Sequence, residues 1–318
     1  MNEEFDLCRS IFIDNIIEKI KKIEESKLRF SHYTSAQSSI NILDSKRFWM
    51  RNSSSMNDFM EVRHGLNLFK ENEVIKRIRD VFPRNRLHCF EKITEEFFNN
   101  NFAKMLRQTF IFSLSEHTDE DDLYGKLSMW RGYSHARGVS IVLDINKLTR
   151  LEVLPIGFYP VSYVNDKQYN SKIDSIVDRI NINKSVIEES SYNNLEKSVQ
   201  AFYISEVFCT KHPGFQEEKE WRVVYFPELW TTSSDGHSIE KIVATIGGVP
   251  QIVYQLVLEN NNKIGLSGFD LYEDLLDKII IGPYPDADLL KTALSYKFGG
   301  RIRSIDKKIV ISNISIRY

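Results

Sequence analysis

The sequence predicts an α+β protein, in which helices pack beside a mixed β-sheet. Short apolar runs with period-two alternation, typical of strands, recur from one end of the chain to the other. Longer stretches with apolar residues at spacings of three and four, typical of amphipathic helices, lie between them. The 318 residues contain no internal repeat and no low-complexity tract. A single domain covering residues 1–318 is therefore the simplest organisation.

Composition excludes several classes of protein. Lys and Arg number 42 against 44 Asp and Glu, so no global positive field recruits nucleic acid, and any such partner needs a local patch. The three cysteines are widely spaced and form no C-x-x-C pair, which argues against a disulfide framework and a structural zinc site. The charged first residues do not resemble a signal peptide, and no run approaches the roughly 18 apolar residues of a membrane span. We expect a cytoplasmic protein without a membrane partner.

The predicted elements follow in chain order. An amphipathic pattern with Phe12, Ile16, Ile20 and Ile23 predicts an N-terminal helix. Helical insertions are expected after the first strands and again in the middle of the chain. The helical segments are residues 11–27, 65–108 with a break near Pro83, 171–205 and 287–296. The strand segments are residues 47–51, 109–115, 138–144, 153–164, 278–281 and 308–316, with 251–259 as strand or short helix.

A polar stretch, Ser31 to Ser35, falls where an extended segment ends and a helix begins. Thr34 and Gln37 have the spacing of a capping box, in which each side chain bonds a free N–H of the first helical turn. A helix start presents N–H groups to an anionic ligand, so His32 and Tyr33 are candidate binding residues. The alternative is a capped helix whose His32 and Tyr33 pack against the core.

Two later stretches carry further candidates. Trp130, Arg131 and Tyr133 lie within about one helical turn, and such a group is either core or a stack and clamp for a flat ring and a phosphate. Extended structure from Glu217 would place Glu218, Glu220 and Arg222 on one face, and Trp221, Val223 and Tyr225 on the other. Buried carboxylates are costly unless they are solvated, paired or used.

The motifs together resemble the bacterial domain-of-unknown-function 2971 family over roughly residues 28–316. The stretches that carry this resemblance, in the family's order, are His32-Tyr33-Thr34, Phe48-Trp49, Met56-Asn57-Asp58, Phe112-Ser113, Met129-Trp130-Arg131-Gly132-Tyr133, Glu218-Lys219-Glu220-Trp221-Arg222 and Ile281-Gly282-Pro283.

A second resemblance is to the His-Tyr-Glu arrangement of ADP-ribosyltransferases, because a strand ends in His-aromatic-Thr and a Glu lies on a late strand. It implies a split mixed β-sheet core and a site for NAD as substrate. In that site His32 would bond a ribose of NAD with Thr34 beside it, and Tyr133 or Trp130 would stack on nicotinamide. Glu220 would be the catalytic carboxylate, with Glu218 completing a Glu-x-Glu pair. Tyr33 and Arg131 would complete the NAD site.

This resemblance implies transfer of ADP-ribose to a macromolecular acceptor, nucleic acid or protein, as in a bacterial toxin or antiviral defence effector. Loss of nicotinamide develops positive charge on the ribose, which a carboxylate stabilises. Arg47, Arg51, Arg131 and Arg137 could form a local grip on nucleic acid.

Two other functions stay open. Glu217-x-Lys219 has the form of metal-dependent nucleases, in which a strand carboxylate holds Mg²⁺ and Asp58 would be a second ligand. In a third alternative, the protein is a noncatalytic binding module. Trp130, Trp221 and Tyr133 then lie in the hydrophobic core, and the run of glutamates lies at a solvent-exposed edge.

Overall fold

The structure is a computed structural model that describes residues 3–26, 28–55, 59–98, 102–133, 137–145, 156–228, 239–259 and 270–314. Within these ranges the chain is a mixed α+β protein, as the sequence predicts.

The helices and strands alternate in blocks along the chain. The helices are α1 (Glu3–Ser26), α2 (Ala36–Ser45), α3 (Phe59–Glu71), α4 (Val74–Val81), α5 (Leu87–Phe98), α6 (Phe102–Gln108), α7 (Leu127–Tyr133), α8 (Asp166–Ile182), α9 (Lys184–Glu189), α10 (Tyr192–Phe208), α11 (Ala287–Phe298) and α12 (Ile305–Lys308). The strands are β1 (Arg29–Ser35), β2 (Arg47–Asn52), β3 (Phe110–His117), β4 (Gly138–Leu143), β5 (Gly157–Pro160), β6 (Ser162–Tyr163), β7 (Thr210–Lys211), β8 (Glu220–Tyr225), β9 (Ile239–Ile246), β10 (Val249–Val257), β11 (Leu276–Ile281) and β12 (Ile309–Ile311).

The main sheet is forked at β3. The path through its strands runs β12-β11-β4-β1-β3-β2-β10-β9, and β8 pairs with β3 and β5 away from this path. One edge of β3 is shared, because β1 pairs with its C-terminal half and β2 with Phe110 and Ile111. The other edge of β3 pairs antiparallel with β8. Only β11 and β12 pair parallel among the described strands of this sheet.

Strand register fixes which side chains share a face of this sheet. Ser31 lies opposite Ser115, and Ser115 lies opposite Glu220, so all three point to one side, which we call the Tyr33 face because alternation adds Tyr33 to it. His32 lies opposite Ile141 and points to the other side, the His32 face. The two faces are buried by different parts of the chain.

Helices from the middle of the chain cover the part of the Tyr33 face around β8. There Val224 and Phe226 pack in the same core as α3, α5, α8 and α10. Near β1 the same face carries Tyr33 packed with Trp130 of α7. On the His32 face, Phe30, Phe112 and Trp221 pack with residues of α2, α11 and α12. Apolar side chains thus cover both faces, as expected for a central sheet with helices on either side.

The structure corrects several predicted boundaries. The predicted helical insertion 65–108 is four helices, α3 to α6, and the segment 171–205 is three, α8 to α10. The cap of α2 is Ser35, whose Oγ accepts from the Ser38 N–H, and not Thr34. Strand β8 begins at Glu220 because residues Pro213–Glu218 form a 3₁₀ helix. The predicted N-terminal helix 11–27 begins earlier, at Glu3.

Candidate functional site

His32 is a packing residue on the His32 face of the sheet. Its Nδ1–H donates to the carbonyl oxygen of Ser113 at 3.1 Å. Its ring contacts Phe48 and Phe112, with centroid separations of 5.6 and 4.6 Å. Burial lowers its pKa to about 4, although the hydrogen bond to Ser113 acts in the opposite direction. The imidazole is therefore neutral at physiological pH and fills the fork between β1, β2 and β3.

The neighbours of His32 in the predicted motif are also held by the protein. Tyr33 is buried, and its hydroxyl accepts the backbone N–H of Lys126 at 2.8 Å. Its ring packs edge-on against Trp130 at 4.8 Å. The Trp130 indole N–H donates to the carbonyl of Tyr124. Thr34 is half-buried and, by alternation, shares the His32 face.

Five polar side chains on the Tyr33 face form what we call the ion-pair cluster: Tyr133, Lys211, Glu218, Glu220 and Arg222. The Lys211 ammonium lies between the carboxylates, 2.6 Å from Glu218 Oε2 and 2.7 Å from Glu220 Oε2. The Arg222 guanidinium contacts Glu220 Oε1 at 2.8 Å through Nε. The Tyr133 hydroxyl donates to Glu218 Oε1 at 3.0 Å. Two carboxylates are thus balanced by two cations in a buried setting.

Glu220 is the structural centre of this cluster. Burial alone would raise its pKa, but the charges of Arg222 and Lys211 outweigh burial and hold the pKa at about 2. Both of its carboxylate oxygens are engaged by these cations. Its side chain is only 6 % exposed. Both oxygens of Glu220 are thus occupied by Arg222 and Lys211. Removing either cation would leave a buried negative charge without compensation, which destabilises a protein.

Glu218 is the more accessible carboxylate of the pair. Its side chain is 12 % exposed, and its Tyr133 partner is half-buried at the last residue of α7. Lys219 has a left-handed backbone with φ of 43°, which turns the chain sharply between the 3₁₀ helix and β8. The Ser115 hydroxyl donates to the Glu218 carbonyl at 2.5 Å and fixes this turn on β3.

The structure therefore brings together three predicted catalytic residues, Tyr133, Glu218 and Glu220, and separates them from His32. Of the predicted NAD-binding residues, Arg131 is exposed on α7, next to Tyr133. Trp130 is 3 % exposed and is packed in the core. The predicted meeting of His32 and Glu220 in one crevice is wrong, because the two side chains leave opposite faces of the sheet.

Sequence reasoning missed Lys211 and Tyr163. Lys211 lies on the short strand β7, is completely buried and bonds both glutamates. The hydroxyl of Tyr163, opposite it on β6, accepts the Glu220 backbone N–H at 2.7 Å. The sequence signal for Lys211 is its position shortly after the apolar end of α10, since an ammonium buried there needs a carboxylate partner.

The glutamate and lysine predicted to form a nuclease site do not lie on a strand. Glu217 lies in the 3₁₀ helix and Lys219 in the left-handed turn, and both are exposed, so neither occupies a strand. Asp58 lies outside the described residues. Within the described ranges no group of three or more His, Cys, Asp or Glu side chains is placed to hold a metal ion.

The helices of the described ranges lack the length and apolar character that crossing a bilayer requires.

The ion-pair cluster lies within one stretch of the chain that is similar to a known family. Residues 129–223 match the family model described as Protein of unknown function (DUF2971). The DUF2971 match covers just under a third of the chain and contains every member of the ion-pair cluster, whereas His32 and Tyr33 precede it. No curated protein and no solved structure matches the chain significantly. The similarity to DUF2971 thus coincides with the cluster and not with the His32 motif.

Proposed function

We propose that the chain is an NAD-dependent ADP-ribosyltransferase in which Glu218, and not Glu220, is the carboxylate at the reacting ribose. The observation that carries this proposal is the hydrogen bond from Tyr133 to Glu218 at 3.0 Å. It joins an aromatic ring and a carboxylate, the two groups that nicotinamide and its ribose require, on the partly exposed side of the cluster.

Each residue then has a defined part in the reaction. The bond between nicotinamide and C1′ of the ribose breaks, its electron pair leaves with nicotinamide, and positive charge develops on the ribose. Glu218 stabilises that charge, as carboxylates do in glycoside hydrolysis. The acceptor forms the new bond to C1′ and releases its proton to solvent.

The rest of the cluster positions Glu218. Lys211 binds Oε2 of Glu218 and the Tyr133 hydroxyl binds Oε1, so both carboxylate oxygens are positioned, while Ser115 fixes the main chain at the same residue. The half-buried ring of Tyr133 would stack on nicotinamide, whereas the ring of Trp130 packs against Tyr33. The exposed guanidinium of Arg131 is available for the pyrophosphate. The forked arrangement of β1, β2 and β3 agrees with the split sheet that the resemblance implies.

The test is release of nicotinamide from NAD by the purified chain, with chelator present, alone and with DNA, RNA and protein acceptors. We expect metal-independent release and covalent labelling of one acceptor class by labelled NAD. Loss of intact DNA or RNA that needs Mg²⁺ and no NAD would overturn the proposal in favour of a nuclease.

A further inference from the structure

A basic groove lies between α3 and α6, outside the ion-pair cluster. It encloses about 550 Å³ and is lined by Arg63, Asn67 and Lys70 of α3 and by Phe102 and Arg107 of α6. We call it the α3–α6 groove. Its volume is in the range of sites that hold a nucleotide-sized ligand.

The described side chains that line the groove carry positive charge. Arg63, Lys70 and Arg107 are exposed, and no Asp or Glu is found among the described residues that line it. Lys70 and Arg107 form no ion pair within the described part of the chain. The whole chain has a formal charge of −2, so this patch is local and attracts anions at short range.

An aromatic side chain and polar groups accompany the charges. Phe102 is half-buried in the wall of the groove, and the Lys70 ammonium lies 4.2 Å from its ring centroid. Asn67 and Ser54 add hydrogen-bonding groups to the lining. Cations that follow a groove, combined with an aromatic ring, are the features by which proteins hold single strands.

We propose that the α3–α6 groove binds single-stranded nucleic acid. The phosphates contact Arg63, Lys70 and Arg107, and a base lies against Phe102. An acidic peptide would satisfy the three cations and leave the aromatic wall unused, so nucleic acid is the better fit.

Helix α3 connects this groove to the ion-pair cluster. His64 follows Arg63 on α3, and its ring lies 5.8 Å from that of His212, the residue after Lys211. A strand bound in the groove is thus held by the same helix that borders the cluster. This inference rests on the proposed function where it names nucleic acid as the acceptor class, whereas binding itself does not need the reaction.

The experiment measures fluorescence anisotropy of labelled single-stranded DNA and RNA of about 12 nucleotides, without NAD. The test variant is Lys70→Glu with Arg107→Glu. Its matched control is Arg303→Glu with Lys307→Glu, which reverses two exposed charges on a different part of the chain. We expect the groove variant to bind about tenfold or more weakly, with the salt slope of the affinity reduced by about two, and the control to bind like the wild type.

Three results would overturn this proposal: equal affinity of the groove variant and the wild type, equal weakening by the control, or displacement of the oligonucleotide by poly-glutamate of similar length at the same concentration. Thermal unfolding checks that the variants fold, and Lys70→Gln with Arg107→Gln replaces the groove variant if charge reversal prevents folding. Binding in the absence of nicotinamide release would refute the proposed reaction and leave the groove intact. Nicotinamide release without oligonucleotide binding would refute the nucleic-acid groove and leave the proposed reaction intact.

Discussion

The side chains of His32 and Glu220 project from opposite faces of one sheet. Ser31 lies opposite Ser115, and Ser115 lies opposite Glu220, so Glu220 is on the same face of the sheet as Tyr33. His32, one residue along β1, points the other way and packs against Phe48 and Phe112. A dinucleotide cannot contact both side chains at one site, so a catalytic His32–Glu220 pair is incompatible with this fold.

Glu218→Gln is expected to lower nicotinamide release from NAD by about 100-fold or more, because one preorganised electrostatic contact contributes about that much. The melting temperature should fall, but by less than in Glu220→Gln, because Lys211 keeps its ion pair with Glu220 when the charge of Glu218 is removed. Release is followed by chromatography beside thermal unfolding.

The matched control is Glu217→Gln, which changes the exposed residue immediately before Glu218. It should leave release unchanged. Equal loss in both variants would indicate that the segment, and not the Glu218 carboxylate, matters.

His32→Ala is expected to destabilise the protein by about 2–4 kcal/mol, since it removes a packed ring and a partly buried hydrogen bond. Nicotinamide release measured below the melting temperature should stay within about twofold of the wild type, because His32 lies on the face opposite Glu218. Urea unfolding and the release assay together check this. A lower kcat at unchanged stability would contradict this prediction and indicate that His32 takes part in the reaction.

Stability should also depend on pH through His32. Its pKa is about 4 in the folded chain, against 6.5 for an imidazole in water, because of burial. Between these values the unfolded chain binds more protons, so stability is full above about pH 6.5 and falls as the pH is lowered toward 4. Urea midpoints measured over this range give the dependence.

His32→Phe keeps a ring in the same aromatic surroundings and removes the titration. The difference between wild type and this variant isolates His32 from His117, whose pKa is also lowered by burial. A difference that stays constant between the two pH limits would contradict the assignment.

Glu220→Gln is expected to destabilise the chain by about 3–5 kcal/mol, because it removes the carboxylate charge that lies between two buried cations, Lys211 and Arg222. For the wild type, the stabilisation from Glu220 is present above about pH 4.5 and is lost as the pH falls toward about 2. Chemical denaturation at neutral pH measures the cost, with Glu217→Gln as the exposed comparison. A Glu220→Gln protein as stable as that comparison would show that the ion pairs contribute little.

Gly65→Ala tests the packing of α3 against α10. A β-carbon at this position would lie 2.6 Å from the Val207 carbonyl oxygen, so the two helices must separate. Overpacking outweighs the better helix propensity of alanine, and we expect a net loss of about 1–2 kcal/mol. Gly132→Ala on α7 meets no atom within 4 Å and should be neutral or stabilising. Equal unfolding midpoints for the two variants would refute the close approach.

Local pattern was sufficient to predict most elements. Alternation predicted β2 to within one residue and the buried strand β4, since both signals lie within a few neighbouring residues. The segment 65–108 is predicted as two helices because the break between α3 and α4, at Asn72 and Glu73, contains no proline.

The site was predicted in part. Glu220 and Arg222 do share a face, as period-two alternation requires. Glu218 reaches the same place by another route, the left-handed turn at Lys219, which no pattern of polar and apolar residues encodes. The pairing of β1 with β3 and of β3 with β8 decides the face of His32, and such long-range register is not contained in a local stretch.

The order of strands has a consequence for the stretch similar to DUF2971. That stretch includes β4 and the first four residues of β8, yet β4 pairs with β1 and β11, and β8 pairs with β3 and β5. Excised from the chain, residues 129–223 would retain β5 beside β8 and leave β4 with both edges bare. The stretch is therefore a sequence signature that straddles the sheet, and an expression fragment limited to it would lack the strands that hold its two halves in register.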